Sequence, residues 1–121
     1  MALARAKEFL SGAELALAQG LFNVCASCCY YAMFWAAIAA LTREGFKREE
    51  WSHGGLKQEF TLQLIKKRGL YPEEFGTWLT DGYNLRREAH YKQQGAPVKK
   101  TRRMLEHASR FVMKVEEVIR R

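Results

Sequence analysis

The sequence of 121 residues contains no stretch in which apolar and polar side chains alternate between two turns. Such alternation is the usual signal of a half-buried β-strand, so its absence argues against a sheet. The sequence also has no internal repeat, no low-complexity tract and no interdomain linker. Because the length suits one hydrophobic core, we expect a single helical domain over residues 1–121.

Cysteine is scarce, and Cys25, Cys28 and Cys29 lie together within one short segment. An odd and clustered set of thiols does not form a disulfide framework. Zinc usually takes four ligands, and the three histidines show no paired spacing with these thiols. We therefore expect reduced, buried thiols, no metal site and no cofactor.

The short motifs of the common enzyme classes are also missing. The sequence has no paired carboxylates, no glycine-rich phosphate loop and no serine or cysteine nucleophile in a recognisable setting. A secretory signal is absent as well, because Arg5, Lys7 and Glu8 interrupt the first apolar residues. We expect a cytoplasmic protein outside the most common enzyme classes.

The segment from Leu21 to Leu41 carries no formal charge, and only Asn23 and Ser27 interrupt its apolar and small residues. A helix that is apolar on every side must be surrounded. Its length of about 30 Å would also span a bilayer core. However, the segment is built from alanine, cysteine and aromatic residues, and small residues let neighbouring helices approach closely. We therefore predict the central helix of a soluble bundle and no membrane span.

Helical periodicity predicts the elements around this segment. One amphipathic helix covers Leu3 to Leu17 and ends at Gly20. A third helix begins after the N-cap Ser52 and ends at Gly69, and a fourth runs from Pro72 to about Tyr91. A polar loop over residues 92–98 leads to the last helix. The expected fold is an all-α, up-and-down antiparallel bundle of four long helices plus a shorter fifth.

The formal net charge is +7, and residues 86–103, here called the basic segment, carry almost all of the excess. The segment has seven basic residues and one acidic residue, Glu88. Such a concentration is the electrostatic footprint of a phosphate-binding protein, although a solvated surface has the same composition. The basic residues are Arg86, Arg87, Lys92, Lys99, Lys100, Arg102 and Arg103.

The stretch NLRREAHY, residues 84–91, places Arg86 and His90 four residues apart on one face of the fourth helix. Arg87 and Tyr91 form a second such pair, rotated by about 100°. An arginine beside a histidine is the minimum set for metal-free RNA cleavage, because the guanidinium offsets the phosphate charge while the imidazole moves a proton. The alternative is a surface helix with an incidental histidine.

The stretch KKTRR, residues 99–103, puts four cations at the start of the last helix, where they oppose the helix dipole. Local stability therefore does not explain their placement. If the last two long helices are antiparallel, these cations lie at the same end of the bundle as His90 and Lys92. We expect phosphate to be held from both sides.

The aromatic residues Tyr30, Tyr31, Phe34 and Trp35 are typical of a core rather than of a base-stacking platform. His53, beside two glycines at a helix start, is interpreted as a residue that fixes a loop. Neither feature is assigned to the candidate site.

Along nearly its full length the sequence resembles the HEPN family of small helical domains. The resemblance is carried by AKEFLSGAELALAQGLFNVCASCCYYAMFWAAIAAL, HGGLKQEF and NLRREAHY. It implies a helical bundle that often forms a homodimer, pairs with a minimal nucleotidyltransferase and binds nucleotides or RNA near the end of the fourth helix. Some members are metal-independent ribonucleases that act as toxins, with the nucleotidyltransferase as antitoxin.

Residue by residue, the resemblance places the family arginine on Arg86 and the tyrosine on Tyr91. The ribonuclease members have four to six residues between their arginine and histidine, whereas Arg86 and His90 have three. Our leading hypothesis is a nucleotide- or RNA-binding module that partners a nucleotidyltransferase. The alternatives are a ribonuclease with Arg86, His90 and Tyr91 as catalytic residues, and a non-catalytic protein-interaction domain.

Overall fold

A computed structural model describes all of residues 1–121, which form helices and no strand. The all-helical prediction is confirmed. The helices are α1 (Ala2–Ala18), α2 (Phe22–Arg43), α3 (His53–Glu59, continued by a π-helix, Phe60–Lys67), α4 (Glu74–Tyr91) and α5 (Val98–Ile119).

Helix α2 lies at the centre of the molecule and packs against α1, α4 and α5. Alanines at several positions of α2, among them Ala32, Ala36 and Ala37, are fully buried, so neighbouring backbones approach it closely. A single apolar core of 29 buried residues includes the buried side of this helix and the side chains packed against it. By length and composition α2 is the one helix that could cross a membrane, but 61% of its most apolar window is buried inside the protein. This degree of burial is typical of a core helix.

Contacts between the long helices fix their directions. Lys7 near the start of α1 pairs with Glu116 near the end of α5, with Nζ and Oε2 2.8 Å apart. Ser27 near the start of α2 contacts His90 at the end of α4. Helix α4 therefore runs antiparallel to α2, and α5 antiparallel to α1, so the end of α4 and the start of α5 lie together.

The start of α3 is fixed by the predicted N-cap. The Ser52 hydroxyl accepts a hydrogen bond from the Gly55 backbone N–H at 3.0 Å. The next residue, His53, is thereby oriented toward α2 and α4. The third helix differs from the prediction in its second half, where the backbone widens from α to π geometry.

The loop between α4 and α5 is attached to α2 by Asn23. The Asn23 side-chain Oδ1 accepts a hydrogen bond from the Ala96 N–H at 2.8 Å. Gly95 has a φ of +73°, which glycine adopts without steric cost. A Cβ at this position would lie 2.6 Å from the Asn23 Oδ1. Backbone conformation and close approach therefore both require glycine here.

The substitution Gly95→Ala should lower the free energy of unfolding by about 2–3 kcal/mol, from left-handed strain and loss of the Asn23 hydrogen bond. The matched control is Gly20→Ala, because Gly20 has the same φ of +73° and a Cβ added there would have no neighbouring atom within 4 Å. We expect the control to cost only about 1 kcal/mol. Urea unfolding measures both, and equal losses would show that the Asn23 contact contributes nothing.

Candidate functional site

Arg86 projects from α4 toward α2, where three tyrosine rings surround it. Its Nε donates a hydrogen bond to the Tyr31 hydroxyl at 3.1 Å. Its guanidinium carbon lies 5.8, 5.4 and 5.9 Å from the ring centroids of Tyr30, Tyr31 and Tyr83, within the range of cation–π attraction. The rings orient the half-buried guanidinium without neutralising its charge.

His53 belongs to the same cluster, although its sequence context favours the role of a loop residue. Its Nδ1 lies 2.9 Å from the Tyr30 hydroxyl, and its ring stacks on Tyr83 at 4.1 Å with an interplanar angle of 13°. Hereafter the aromatic cluster denotes Tyr30, Tyr31, Tyr83 and His53 around Arg86. Tyr83 was not among the predicted site residues, although its position three residues before Arg86 on α4 could have suggested it.

The aromatic cluster sets the protonation of its members. Burial lowers the pKa of His53, and the charges of Lys57 and Arg86 lower it further. Burial also raises the pKa of the Tyr30 hydroxyl above its ordinary value. The hydroxyl therefore remains protonated and donates to Nδ1 of a neutral His53.

His90 lies one turn beyond Arg86 and also contacts α2. Its Nε2 is 2.6 Å from the Ser27 hydroxyl oxygen, and its ring is exposed. The α2 partners of Arg86 and His90, Tyr31 and Ser27, are themselves four residues apart. The two side chains that helical spacing pairs thus lie on the same face of α4, against α2.

Arg87 and Tyr91 form a second pair on α4. The guanidinium carbon of Arg87 lies 6.0 Å from the Tyr91 ring centroid, and Tyr91 is 75% exposed. Together with Tyr83 and Arg86 they line a cleft of about 380 Å³. A neighbouring cleft of about 300 Å³ extends toward Lys92 and shares Arg87 and Tyr91 with the first.

The cations of residues 99–103 do not all lie on one face of α5. Lys100 and Arg103 face α4 and line a cleft with Asn84 and Glu88, whereas Arg102 lines a separate groove with Glu14 and Leu17 of α1. Between them Thr101 is buried and donates its hydroxyl to the Pro97 carbonyl at 2.8 Å. The helical period separates these neighbours, so two of the four cations lie across from α4.

The basic segment is nearly devoid of ion pairs. Lys100, whose Nζ lies 3.4 Å from Glu88 Oε1, is its one member with a carboxylate oxygen within 4 Å. Six cations outside the segment do have such partners: Lys7, Arg43, Arg68, Lys114, Arg120 and Arg121. The positive charge at the end of α4 and the start of α5 is therefore left uncompensated within the protein.

The neutral state of His53 predicts a pH dependence of stability. Because the folded-state pKa lies below the ordinary 6.5, the unfolded chain binds more protons between the two values. Stability is therefore lost as the pH falls from about 6.5 through the folded-state pKa, and His53→Phe should reduce this loss. Urea midpoints at neutral and mildly acidic pH measure it.

An NMR titration of the His53 ring tests the cause. The midpoint should lie below 6.5, and Tyr83→Leu should move it upward by restoring water to one ring face. A midpoint at or above 6.5 would contradict the assigned protonation state.

A family model described as the HEPN domain matches residues 1–121. The chain is also 26% identical over 115 residues to a protein of Methanocaldococcus jannaschii named "Putative toxin MJ0605", covering 95% of this chain and 84% of that protein. Since the family match extends over the whole sequence, the chain belongs to the HEPN domain family.

Proposed function

We propose that this HEPN domain binds the phosphate groups of nucleotides or RNA with its basic segment. The observation that carries the proposal is that six of the seven cations in this segment have no carboxylate partner. Unpaired cations at a helix start reduce helix stability, since they oppose the helix dipole. An anionic ligand would supply the missing countercharge.

The clefts around α4 support a continuous binding surface. The cleft at Arg86 shares Arg87 and Tyr91 with the cleft at Lys92. The latter shares Asn84 and Glu88 with the cleft that contains Lys100 and Arg103. A nucleic-acid backbone could therefore contact successive cations along one path, with Tyr91 exposed for stacking on a base.

Arg86 is the proposed anchor of this surface. Its Nε is occupied by Tyr31, and no carboxylate lies within 4 Å, so its remaining N–H groups are available for two phosphate oxygens. Bidentate contacts of this kind are the strong form of arginine–phosphate recognition. The surrounding tyrosines hold the guanidinium in place before the ligand arrives.

Retention of single-stranded RNA should weaken steeply with salt, and the double variant Arg87→Gln/Lys92→Gln should reduce both affinity and the salt slope. Each lost phosphate contact should lower the slope of log K against log salt by about 0.7. The matched control is Lys66→Gln/Lys67→Gln, which removes the same charge from exposed lysines of the third helix. Equal effects of the two variants would indicate binding to net charge alone.

A second candidate function is metal-independent RNA cleavage, favoured by the exposed His90 on the same face as Arg86 and by the toxin name of the archaeal relative. In this reaction the 2′-hydroxyl attacks the adjacent phosphorus and the 5′-oxygen leaves. His90 would accept the hydroxyl proton, water would protonate the departing 5′-oxygen, and Arg86 would offset charge on the phosphate oxygens. Tyr91 would orient the phosphate from the adjacent cleft.

Incubation of labelled single-stranded RNA with the protein in EDTA separates the two functions. Cleavage that is lost in both Arg86→Ala and His90→Ala, but retained in Glu14→Ala, would establish the ribonuclease. Salt-sensitive retention without cleavage supports the binding module. Absence of both signals would favour a domain that binds only protein partners.

We also propose that the domain forms a homodimer and partners a minimal nucleotidyltransferase, as the family resemblance implies. Exposed Leu21, Val24 and Val98 support a pairing surface, because the Asn23–Ala96 contact brings the starts of α2 and α5 together. We further propose that the single domain works in the cytoplasm. The antiparallel contacts of the long helices support the up-and-down arrangement of the bundle.

A further inference from the structure

A cleft of about 440 Å³ separates α4 from α5. The two helices contact each other less extensively than either contacts α2, so the groove between them remains open. Its volume lies within the range of small-molecule sites in proteins. The lining residues are Asp81, Asn84, Leu85, Glu88, Lys100, Arg103, Met104 and His107.

The two walls of this cleft differ in charge. Asp81, Asn84 and Glu88 occur at helical spacing along α4, so they face the cleft as one polar row that contains two carboxylates. Lys100 and Arg103 provide the opposite wall from α5. Burial lowers the pKa of His107, and the nearby charge of Arg110 lowers it further, so this ring is neutral at pH 7. The positive charge of the cleft therefore lies on Lys100 and Arg103.

Several polar atoms in the cleft have no partner within the protein. Glu88 Oε1 contacts Lys100, but its Oε2 is buried and makes no hydrogen bond. The Nδ1 atom of His107 is likewise buried and unpartnered, while its ring stacks on Trp78 at 4.2 Å. Asp81 and Arg103 form no ion pair across the groove, although both line it. Such unsatisfied groups are rare in folded proteins unless a ligand or water completes them.

A ligand that completes both walls must carry an anionic group and, at some distance from it, a pair of adjacent N–H donors. A guanine nucleotide has this chemistry. Its N1–H and N2–H₂ groups can donate side by side to one carboxylate, and its phosphate can bind lysine and arginine. Adenine offers a single exocyclic donor next to an acceptor nitrogen, which a carboxylate cannot satisfy.

We propose that the α4–α5 cleft is a guanine subsite, in which the unpaired carboxylate of Asp81 accepts from the base edge while Lys100 and Arg103 bind the attached phosphate. This inference rests on the proposed function and names the base that the surface prefers. Since the donor edge of guanine is occupied in a duplex, the subsite takes a free nucleotide or an unpaired residue of RNA.

Fluorescence anisotropy with two labelled oligouridines, one with a central guanine and one with a central adenine, tests the subsite. The wild type should bind the guanine oligonucleotide about tenfold more tightly. Asp81→Asn should abolish most of this preference without weakening the binding of oligouridine. The matched control Glu14→Gln removes the same charge outside the cleft and should retain the preference, which also excludes a net-charge effect.

Equal affinity of the wild type for the two oligonucleotides, with salt-sensitive retention intact, would overturn the subsite and leave the proposed function standing. If no RNA is retained, the proposed function fails, and titration with guanosine 5′-monophosphate decides about the cleft. This nucleotide should shift the NMR signals of the His107 ring and the Asn84 amide, whereas adenosine 5′-monophosphate should not. Unchanged signals with both nucleotides would overturn the inference, and a shift restricted to guanosine 5′-monophosphate would support it.

Discussion

The structure depends on the burial of a helix that has no polar face. Because α2 carries no charge between Phe22 and Thr42, α1, α4 and α5 must cover it, and its alanines allow them to come close. The same packing determines where the candidate site lies. Tyr30 and Tyr31 project from α2 on the side covered by α4. Arg86 therefore contacts aromatic rings that the core already holds in place.

The helices could be predicted because their signals are local. Apolar residues three and four apart, the cap at Ser52 and the breaks at Gly20 and Pro97 all act within a few residues of their effects. The π-helix over Phe60–Lys67 has no such local signal, since its apolar spacing also fits an α-helix. The sequence therefore predicted that a helix exists there but not its geometry.

Sequence spacing predicted only those pairs of candidate site residues that lie on the same helix. Spacing alone placed Arg86 with His90 and Arg87 with Tyr91, because all four are on α4. The contact of His53 with Tyr30 and Tyr83 joins three helices and depends on how α3 docks, which no sequence spacing records. Likewise, the helical period separates Arg102 from Lys100 and Arg103, but which helix each of them faces depends on the positions of α1 and α4 around α5. RNA binding, cleavage and partner choice stay predictions.

Aromatic rings and carboxylates are two different ways to hold an arginine, and the difference bears on function. A carboxylate fixes a guanidinium but also cancels its charge, so an incoming phosphate must compete with it. The rings around Arg86 attract the cation through their electron-rich faces and leave its full charge for a ligand. The neutral state of His53 also leaves the charge of Arg86 available for a ligand. A charged imidazole in the same cluster would repel the guanidinium that the cluster positions. The aromatic cluster thus holds the Arg86 guanidinium in one orientation without cancelling its positive charge. An oriented, uncompensated charge is the electrostatic requirement for binding phosphate from water.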